Sequence, residues 1–312
     1  RMLRRDGKKA GIPSSFVIMD DTDQRQIVKD ILHDLNYDER QMTMSQAISE
    51  ISKAKNQLLT PDQYEKKNAS FVGERYANVY REYERRLVES NGLDFDDLII
   101  RTIRLLESDE EVRTRYQNKF RYILVDEYQD VNYAQYKLCA ILADEHRNIT
   151  VVGDDDQSIY SWRGSDYKMI LNFERDFKGA KVFKLEENYR STQSILDSAN
   201  DLVSKNVSRH PKRLFTKRPE GDKVTVYGAE SERAEARYII EKVKELVHEG
   251  ASYRDVLVLY RTNAQSRVFE EAMLAEGIPY RVVGGVGFYA RSEIKDMLAY
   301  LRYVVNPSDA VA

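Results

Sequence analysis

Two short apolar runs, Tyr122–Val125 and Ile149–Val152, each break off into acids, and one helix-length stretch lies between them. This arrangement restricts the fold more than any other feature of the chain. Parallel strands need a crossover of a dozen or more residues, usually a helix. The segment from Tyr122 to Gly164 is therefore expected to be strand, crossover helix, strand. Ligands of open α/β sheets gather outside the carboxyl ends of the strands. Asp126 and Glu127 follow the first run and Asp154, Asp155 and Asp156 follow the second, so both acid groups fall at that edge.

The flanking sequence has other periods. Across 20–118 apolar residues recur at helical spacing, as in Ile27, Val28, Ile31, Leu32 and Leu35. A second helix is expected over Met44–Leu59, opened near Thr43 or Ser45, and Pro61 suits the first turn of a third. Val79, Tyr80, Tyr83 and Leu87 stripe a longer helix that Asn91–Gly92 ends. Asp94, Asp96 and Asp97 read as an acidic helix start in preference to metal ligands. No strand is expected in 20–118. Residues 1–9, rich in Arg and Lys, read as a solvated end. After the central unit come a helix over Asp166–Phe177, a strand at Lys181–Leu185, and a helix from Thr192 to Asn206. Further strands are expected at Lys223–Tyr227, Asp255–Tyr260 and Tyr280–Val283. Helices are expected over Glu232–Glu249, Ala264–Glu276 and Glu293–Val305. Residues 205–218 hold Lys205, Arg209, Lys212, Arg213, Lys217 and Arg218. Two readings of this patch stand, a solvated linker and a phosphate-facing surface.

Composition excludes some classes. Lys plus Arg is 49 against 52 Asp plus Glu, so no nucleic-acid coat covers the whole chain. The single cysteine, Cys139, rules out an intrachain disulfide and a multi-cysteine metal site, and implies a reducing, cytoplasmic compartment. No apolar run approaches a membrane span.

Four constellations carry chemistry. Asp126 at a strand end can hold Mg²⁺, which takes one or two carboxylates plus substrate phosphates, and Glu127 can orient or deprotonate a water. Against this stands a plain acid pair capping the next helix. Gly153–Gln157 supplies a glycine for a sharp turn, three acids, and Gln157, which can sense a terminal phosphate. Tyr160, Trp162 and Arg163 offer a stacking platform for bases, or alternatively a buried aromatic anchor. Tyr189 and Arg190 can stack on a nucleobase and reach a phosphate, or form an ordinary salt bridge. No G-x-x-x-x-G-K-S/T loop occurs in the chain; its one Gly-Lys pair is Gly7–Lys8.

Taken together, DEYQD at 126–130, GDDDQSIYSWRGS at 153–165, ENYRST at 187–192 and YRTNAQSR at 260–267 resemble the motifs of the UvrD/PcrA/Rep group of superfamily 1A DNA helicases. LDFDDLI at 93–99 and GGVGFYARSEIKD at 284–296 fit the same family. The resemblance covers nearly the whole chain. It implies ATP and Mg²⁺ as cofactors and movement 3′ to 5′ on single-stranded DNA. It implies that Asp126 holds the metal, that Glu127 acts on the hydrolytic water, and that Gln157 couples the γ-phosphate to DNA. Tyr189 would stack on adenine and Arg190 contact the γ-phosphate. Tyr160, Trp162, Arg163, Arg261 and Asn263 would meet DNA. Ser165 stands where the family usually has Ala, and Ala290 where an acid is common.

The fold class implied is α/β: incomplete tandem RecA-like parallel-sheet domains of the P-loop NTPase type, with an α-helical subdomain (1B). The expected boundaries are 1–119 for that subdomain, 120–185 for the later strands of the first RecA-like domain and 186–312 for the first part of the second. The missing phosphate loop, and an N-terminus that is Arg and not Met, predict an interior piece of an ATP-dependent helicase, inactive alone as an ATPase. Partners implied are single-stranded DNA, single-strand/duplex junctions and repair or replication proteins. The alternatives are a single-stranded-DNA- or partner-binding module without turnover, and a carboxylate-metal nuclease, which leaves Gln157, Trp162 and Arg163 without a role.

Overall fold

A computed structural model describes residues 1–38, 40–160, 164–207, 209–283 and 292–306. The chain divides into two compact bodies. Among the described residues the larger holds those of 1–189, 199–217 and 296–306; the smaller holds those of 190–198 and 218–295.

The larger body opens with α1 (Met2–Asp6), a 3-10 turn and a two-residue strand, β1 (Val17–Ile18). Four helices follow: α2 (Asp21–Asp34), α3 (Met44–Asn56), α4 (Pro61–Lys67) and α5 (Phe71–Glu89). Each starts where a short polar side chain accepts from the first turn: Asp20, Thr43, Thr60 and Ser70. Thr43, not Ser45, is the cap of α3, and Pro61 takes the first turn of α4. Their apolar stripes meet in one core that includes Val28, Ile31, Ile51, Tyr80, Tyr83 and Leu87. Asn91 ends the α5 turn with φ 49°. The chain then forms β2 (Gly92–Leu93), parallel to β1. This pair corrects the expectation of no strand in 20–118; two residues are too few to leave an alternating pattern.

Next come α6 (Phe95–Ser108) and α7 (Glu110–Lys119). A second core joins Leu93, Leu105, Leu106, Val112 and Tyr116 to Leu3, Ile12 and Phe16. Full burial of side chains such as Leu105 and Leu106 contributes roughly 1.5–3 kcal/mol each. The N-terminal segment is therefore docked and not a solvated end. Leu3 anchors it, the Arg4 guanidinium lies 3.8 Å from the Phe16 ring centroid, and Asp6 accepts from Tyr116 at 2.7 Å.

The central unit is as expected: β3 (Ile123–Val125), α8 (Tyr133–Ala143) and β4 (Ile149–Val151), with Ile123, Leu124 and Val125 paired in parallel to Ile149, Thr150 and Val151. Leu138, Ile141 and Leu142 of α8 pack on the second core. The helix expected over Asp166–Phe177 is two short pieces, α9 (Lys168–Leu171) and α10 (Phe173–Asp176). Then comes α11 (Gln193–Val203).

In the smaller body α12 (Glu232–His248) packs on α13 (Ser266–Ala275) around Ile240, Val243 and Ile278. The last helix, α14 (Ser292–Val305), returns to the larger body from Asp296 onward, where Arg302 pairs with Asp23 at 2.6 Å. The strands expected at 181–185, 223–227, 255–260 and 280–283 are not formed. Their residues are apolar enough for a sheet, yet among the described residues they have no ladder partner. Phe183 and Leu185 are each 80% exposed and Val226 is 93% exposed. Among the described residues no helix is long and apolar enough to cross a membrane.

Candidate functional site

The site is built where β3 and β4 end side by side. The ladder runs one step past each strand: Val152 N–H donates to the Val125 carbonyl at 2.8 Å, and Tyr128 N–H to the Val152 carbonyl at 2.9 Å. Between these bonds the chain must turn in two residues. It does so with Glu127 in the left-handed region, at φ 49° and ψ 44°. That conformation costs a non-glycine residue about 1–2 kcal/mol, and its effect is directional. Tyr128 and Gln129 turn inward and are fully buried, Tyr128 edge-on to Phe173, while Asp126 and Glu127 stay exposed.

Gln129 joins the two strand ends. Its Nε2 donates to Glu127 Oε2 at 2.7 Å, and its Oε1 accepts the Asp154 N–H at 3.0 Å. Asp154 in turn caps the 3-10 turn 155–157, accepting from Asp156 N–H at 3.0 Å and from Gln157 Nε2 at 2.7 Å. The Glu127 carboxylate after β3 and the glutamine after β4 thus share one hydrogen-bonded chain: Glu127, Gln129, Asp154, Gln157. Gly153 serves this chain by space and not by a turn. Its φ is not positive, and a Cβ there would meet Gln129 Oε1 at 2.6 Å. The role of Gln129 was not legible in the sequence, where it stands as one polar residue among the acids of DEYQD.

The two acid groups differ in charge balance. Asp154, Asp155 and Asp156 lie with carboxylate oxygens within 4.8 Å of one another. Their positive charge comes from the segment after α11. Arg209 grips Asp156 with two nitrogens, at 3.0 and 2.7 Å, and Lys212 Nζ bonds Asp154 and lies 3.3 Å from Asp155. Burial opposes ionisation of Asp154 and Asp156, yet hydrogen bonds from Lys212 and Arg209 lower both pKa values. Neither expectation for the 205–218 patch describes these two side chains, which face the protein's own acids. Among the described residues no basic side chain pairs with Asp126 or Glu127. Two exposed carboxylates without a protein cation are hard oxygen donors suited to Mg²⁺, so this pair fits a metal and the Asp154–Asp156 triple does not.

Beside this edge lies a cavity of about 910 Å³ lined by Tyr160, Phe95, Asn56, Asp130 and Asn132 among others. Asn132 Nδ2 donates to Asn56 Oδ1 at 2.8 Å, tying the loop after Glu127 to α3. Behind it, Asp94 caps α6 as the sequence implies. The sequence did not reveal its partner, the fully buried Lys55, within 3.0 Å of Glu84, Asp94 and Asp97. Burial would lower the Lys55 pKa, but the charges of Asp94, Asp97 and Glu84 hold it well above the ordinary lysine range.

Asp126, Glu127 and Gln157 are thus brought together, and Tyr160 lies in the same body. Trp162, Arg163 and Ala290 lie outside the described residues. Tyr189 is exposed in the larger body. Arg190, Arg261 and Asn263 belong to the smaller body. There the Arg190 carbonyl accepts from Arg218 at 2.8 Å, and Asn263 opens a 3-10 turn through Gln265, whose Oε1 accepts the Arg261 N–H at 3.0 Å.

A family model described as the UvrD/REP helicase N-terminal domain matches residues 1–178, and one described as the UvrD-like helicase C-terminal domain matches 183–312. The chain is 47% identical over all 312 residues to the ATP-dependent DNA helicase PcrA of Staphylococcus epidermidis, and 46% identical over the same span to that of Staphylococcus aureus. It spans 43% of the length of these relatives.

Proposed function

This chain belongs to the UvrD/REP helicase family, and we propose that it is part of an ATP-dependent DNA helicase that moves 3′ to 5′ on single-stranded DNA. In this reading 1–119 is the helical subdomain that approaches single-strand/duplex junctions, 120–185 carries the later strands of the first RecA-like domain, and 186–312 begins the second. The observation that carries it is the Gln129 bridge, which ties the Glu127 carboxylate to the loop that orients Gln157.

ATP with Mg²⁺, when bound, supplies the phosphoryl group whose hydrolysis drives movement. The chain's own residues prepare that chemistry. Asp126 offers an uncompensated carboxylate to the metal. Glu127 has one oxygen, Oε2, fixed by Gln129, so Oε1 is the atom that accepts a proton from water. Gln157 donates one amide hydrogen to Asp154 and keeps its second hydrogen for the terminal phosphate and its Oε1 for the attacking water. Arg190 contributes transition-state charge stabilisation, an effect of roughly 10³–10⁵ in rate for such arginines. Tyr189 stacks on the adenine. Tyr160 and Trp162 stack on bases, at roughly 1–3 kcal/mol per base, while Arg163, Arg261 and Asn263 hold the strand. Repair or replication proteins are the partner class, and the cytoplasm the compartment.

The test uses a protein of the relatives' full length carrying this segment. Glu127→Gln is expected to lower DNA-stimulated hydrolysis by at least ~10²-fold while ATP binding persists; hydrolysis within threefold of the parent would sink the reading. The 312-residue chain alone, without a phosphate loop in its sequence, is expected to bind an oligonucleotide, with salt-sensitive quenching of Trp162 fluorescence, and to release no phosphate from ATP. Phosphate release above background would overturn the inactivity of the chain alone.

A further inference from the structure

The sequence flagged the basic segment 205–218 and the function above leaves it unused. The structure gives it a specific task. Lys212 reaches Asp154, Asp155 and Asp156 together, while Arg209 and Asn206 hold Asp156. His210 adds its backbone N–H to Asp155 at 2.5 Å. These contacts are largely shielded from solvent: the side chains of Asp155 and Asp156 are 3% and 5% exposed, and those of Arg209 and Lys212 14% and 16%. A shielded ion pair with several hydrogen bonds fixes geometry far better than an exposed one. Here the fixed geometry is passed on. The Asp154 carboxylate that Lys212 holds by one oxygen, Oδ1, holds the Gln157 amide by the other, Oδ2, at 2.7 Å.

We propose that Lys212 is a positioning residue for Gln157, acting through the Asp154 carboxylate, with Arg209 locking the adjoining turn through Asp156. Without Lys212, Asp154 carries an unbalanced charge beside Asp155 and Asp156. Its best response is to rotate toward water, and the Gln157 amide loses its acceptor. The segment after α11 therefore sets where the glutamine points. The proposal rests on the reading of Gln157 as the phosphate-facing residue, but its test does not.

The 312-residue chain is labelled with ¹⁵N-glutamine and the Gln157 side-chain amide signal is assigned by its loss in Gln157→Ala. Lys212→Ala is expected to shift that signal and to speed its exchange with water by roughly 2–10-fold, the loss of one net hydrogen bond. Lys212→Arg should restore it, since a guanidinium can still reach Asp154. Lys217→Ala, which removes the cation beside Glu187, should leave it in place. An unmoved Gln157 signal in Lys212→Ala overturns the proposal, as does an equal shift in Lys217→Ala. Should Lys212→Ala lose its near-ultraviolet circular dichroism, Lys212→Met, which keeps the alkyl stem, gives the same reading. Because no nucleotide is present, failure here is separate from failure of the Glu127→Gln hydrolysis test.

Discussion

Gly153 lies so close to Gln129 that a Cβ at residue 153 would sit 2.6 Å from the Gln129 Oε1. Gln129 cannot yield easily, because it is 1% exposed and bonded at both ends of its amide. The added methyl would also press on Ile170 at 2.9 Å and on the Tyr128 nitrogen at 3.1 Å. Gly153→Ala is therefore expected to cost about 1–3 kcal/mol, the range for overpacking. Urea unfolding checks this; a loss under about 0.5 kcal/mol would mean that the strand end relaxes and Gln129 is not confined.

The left-handed backbone at Glu127 separates two effects that one substitution would mix. Glu127→Ala and Glu127→Gly both remove the carboxylate that Gln129 bonds. Only glycine also relieves the strain of φ 49°. Glu127→Gly should therefore be the more stable of the two by about 1 kcal/mol. Equal unfolding midpoints would show that the turn opens once the carboxylate is gone.

Lys55 is 1% exposed and answers three carboxylates from α5 and the start of α6. Removing one partner of a buried ionic group costs about 3–5 kcal/mol, because it strands the remaining charge. Lys55→Met, close in volume, should destabilise the chain by that amount at neutral pH and recover part of it in mild acid, where the carboxylates protonate. Denaturant titrations at pH 5 and 7 decide it, and a loss below about 1 kcal/mol would reduce the cluster to a surface-like contact.

Local signals were legible wherever one residue acts on its own neighbours. Thr43 and Asp94 open helices because their side chains satisfy the next turn, and Pro61 takes the first turn of α4. The runs at 122–125 and 149–152 became β3 and β4 because each is the other's partner. The runs at 181–185 and 255–260 are equally apolar, but a ladder depends on a neighbour far away in sequence, so composition could not say whether one would be met. The fate of charges was hidden for the same reason. Nothing in Lys55, Arg209 or Lys212 announces that each is matched with acids 39, 53 or 58 residues away. In the candidate site Glu127 and Gln157 stood out from their motifs, and the residue hydrogen-bonded between their loops, Gln129, did not.

The Lys55 cluster also fixes the sign of a pH dependence. Glu84, Asp94 and Asp97 face two cations, Lys55 and Arg101. One negative charge is left over, and Asp97 bears the consequence: burial, with Asp94 and Glu84 nearby, pushes its pKa up to about 7. A raised carboxylate pKa means that the folded state binds the proton more tightly than the unfolded state. Between the ordinary carboxylate range and pH 7 the unfolded state has lost this proton while the folded state keeps it. Stability must then fall as pH rises through that window, by at most about 1.4 kcal/mol per pH unit for one group. Glu82 works the other way, in a different window. Its hydrogen bond from Arg85 outweighs burial and holds it down to about 2, so its contribution is lost only as pH falls below the ordinary range. Asp96 and Asp130, raised by burial, share the sign of Asp97, so the parent alone does not isolate it. The comparison with Asp97→Asn does. Urea unfolding at half-unit steps from pH 5 to 7 should show a steeper decline for the parent than for the variant. Parallel curves would mean that Asp97 is ionised throughout and that the excess charge resides on another member of the cluster.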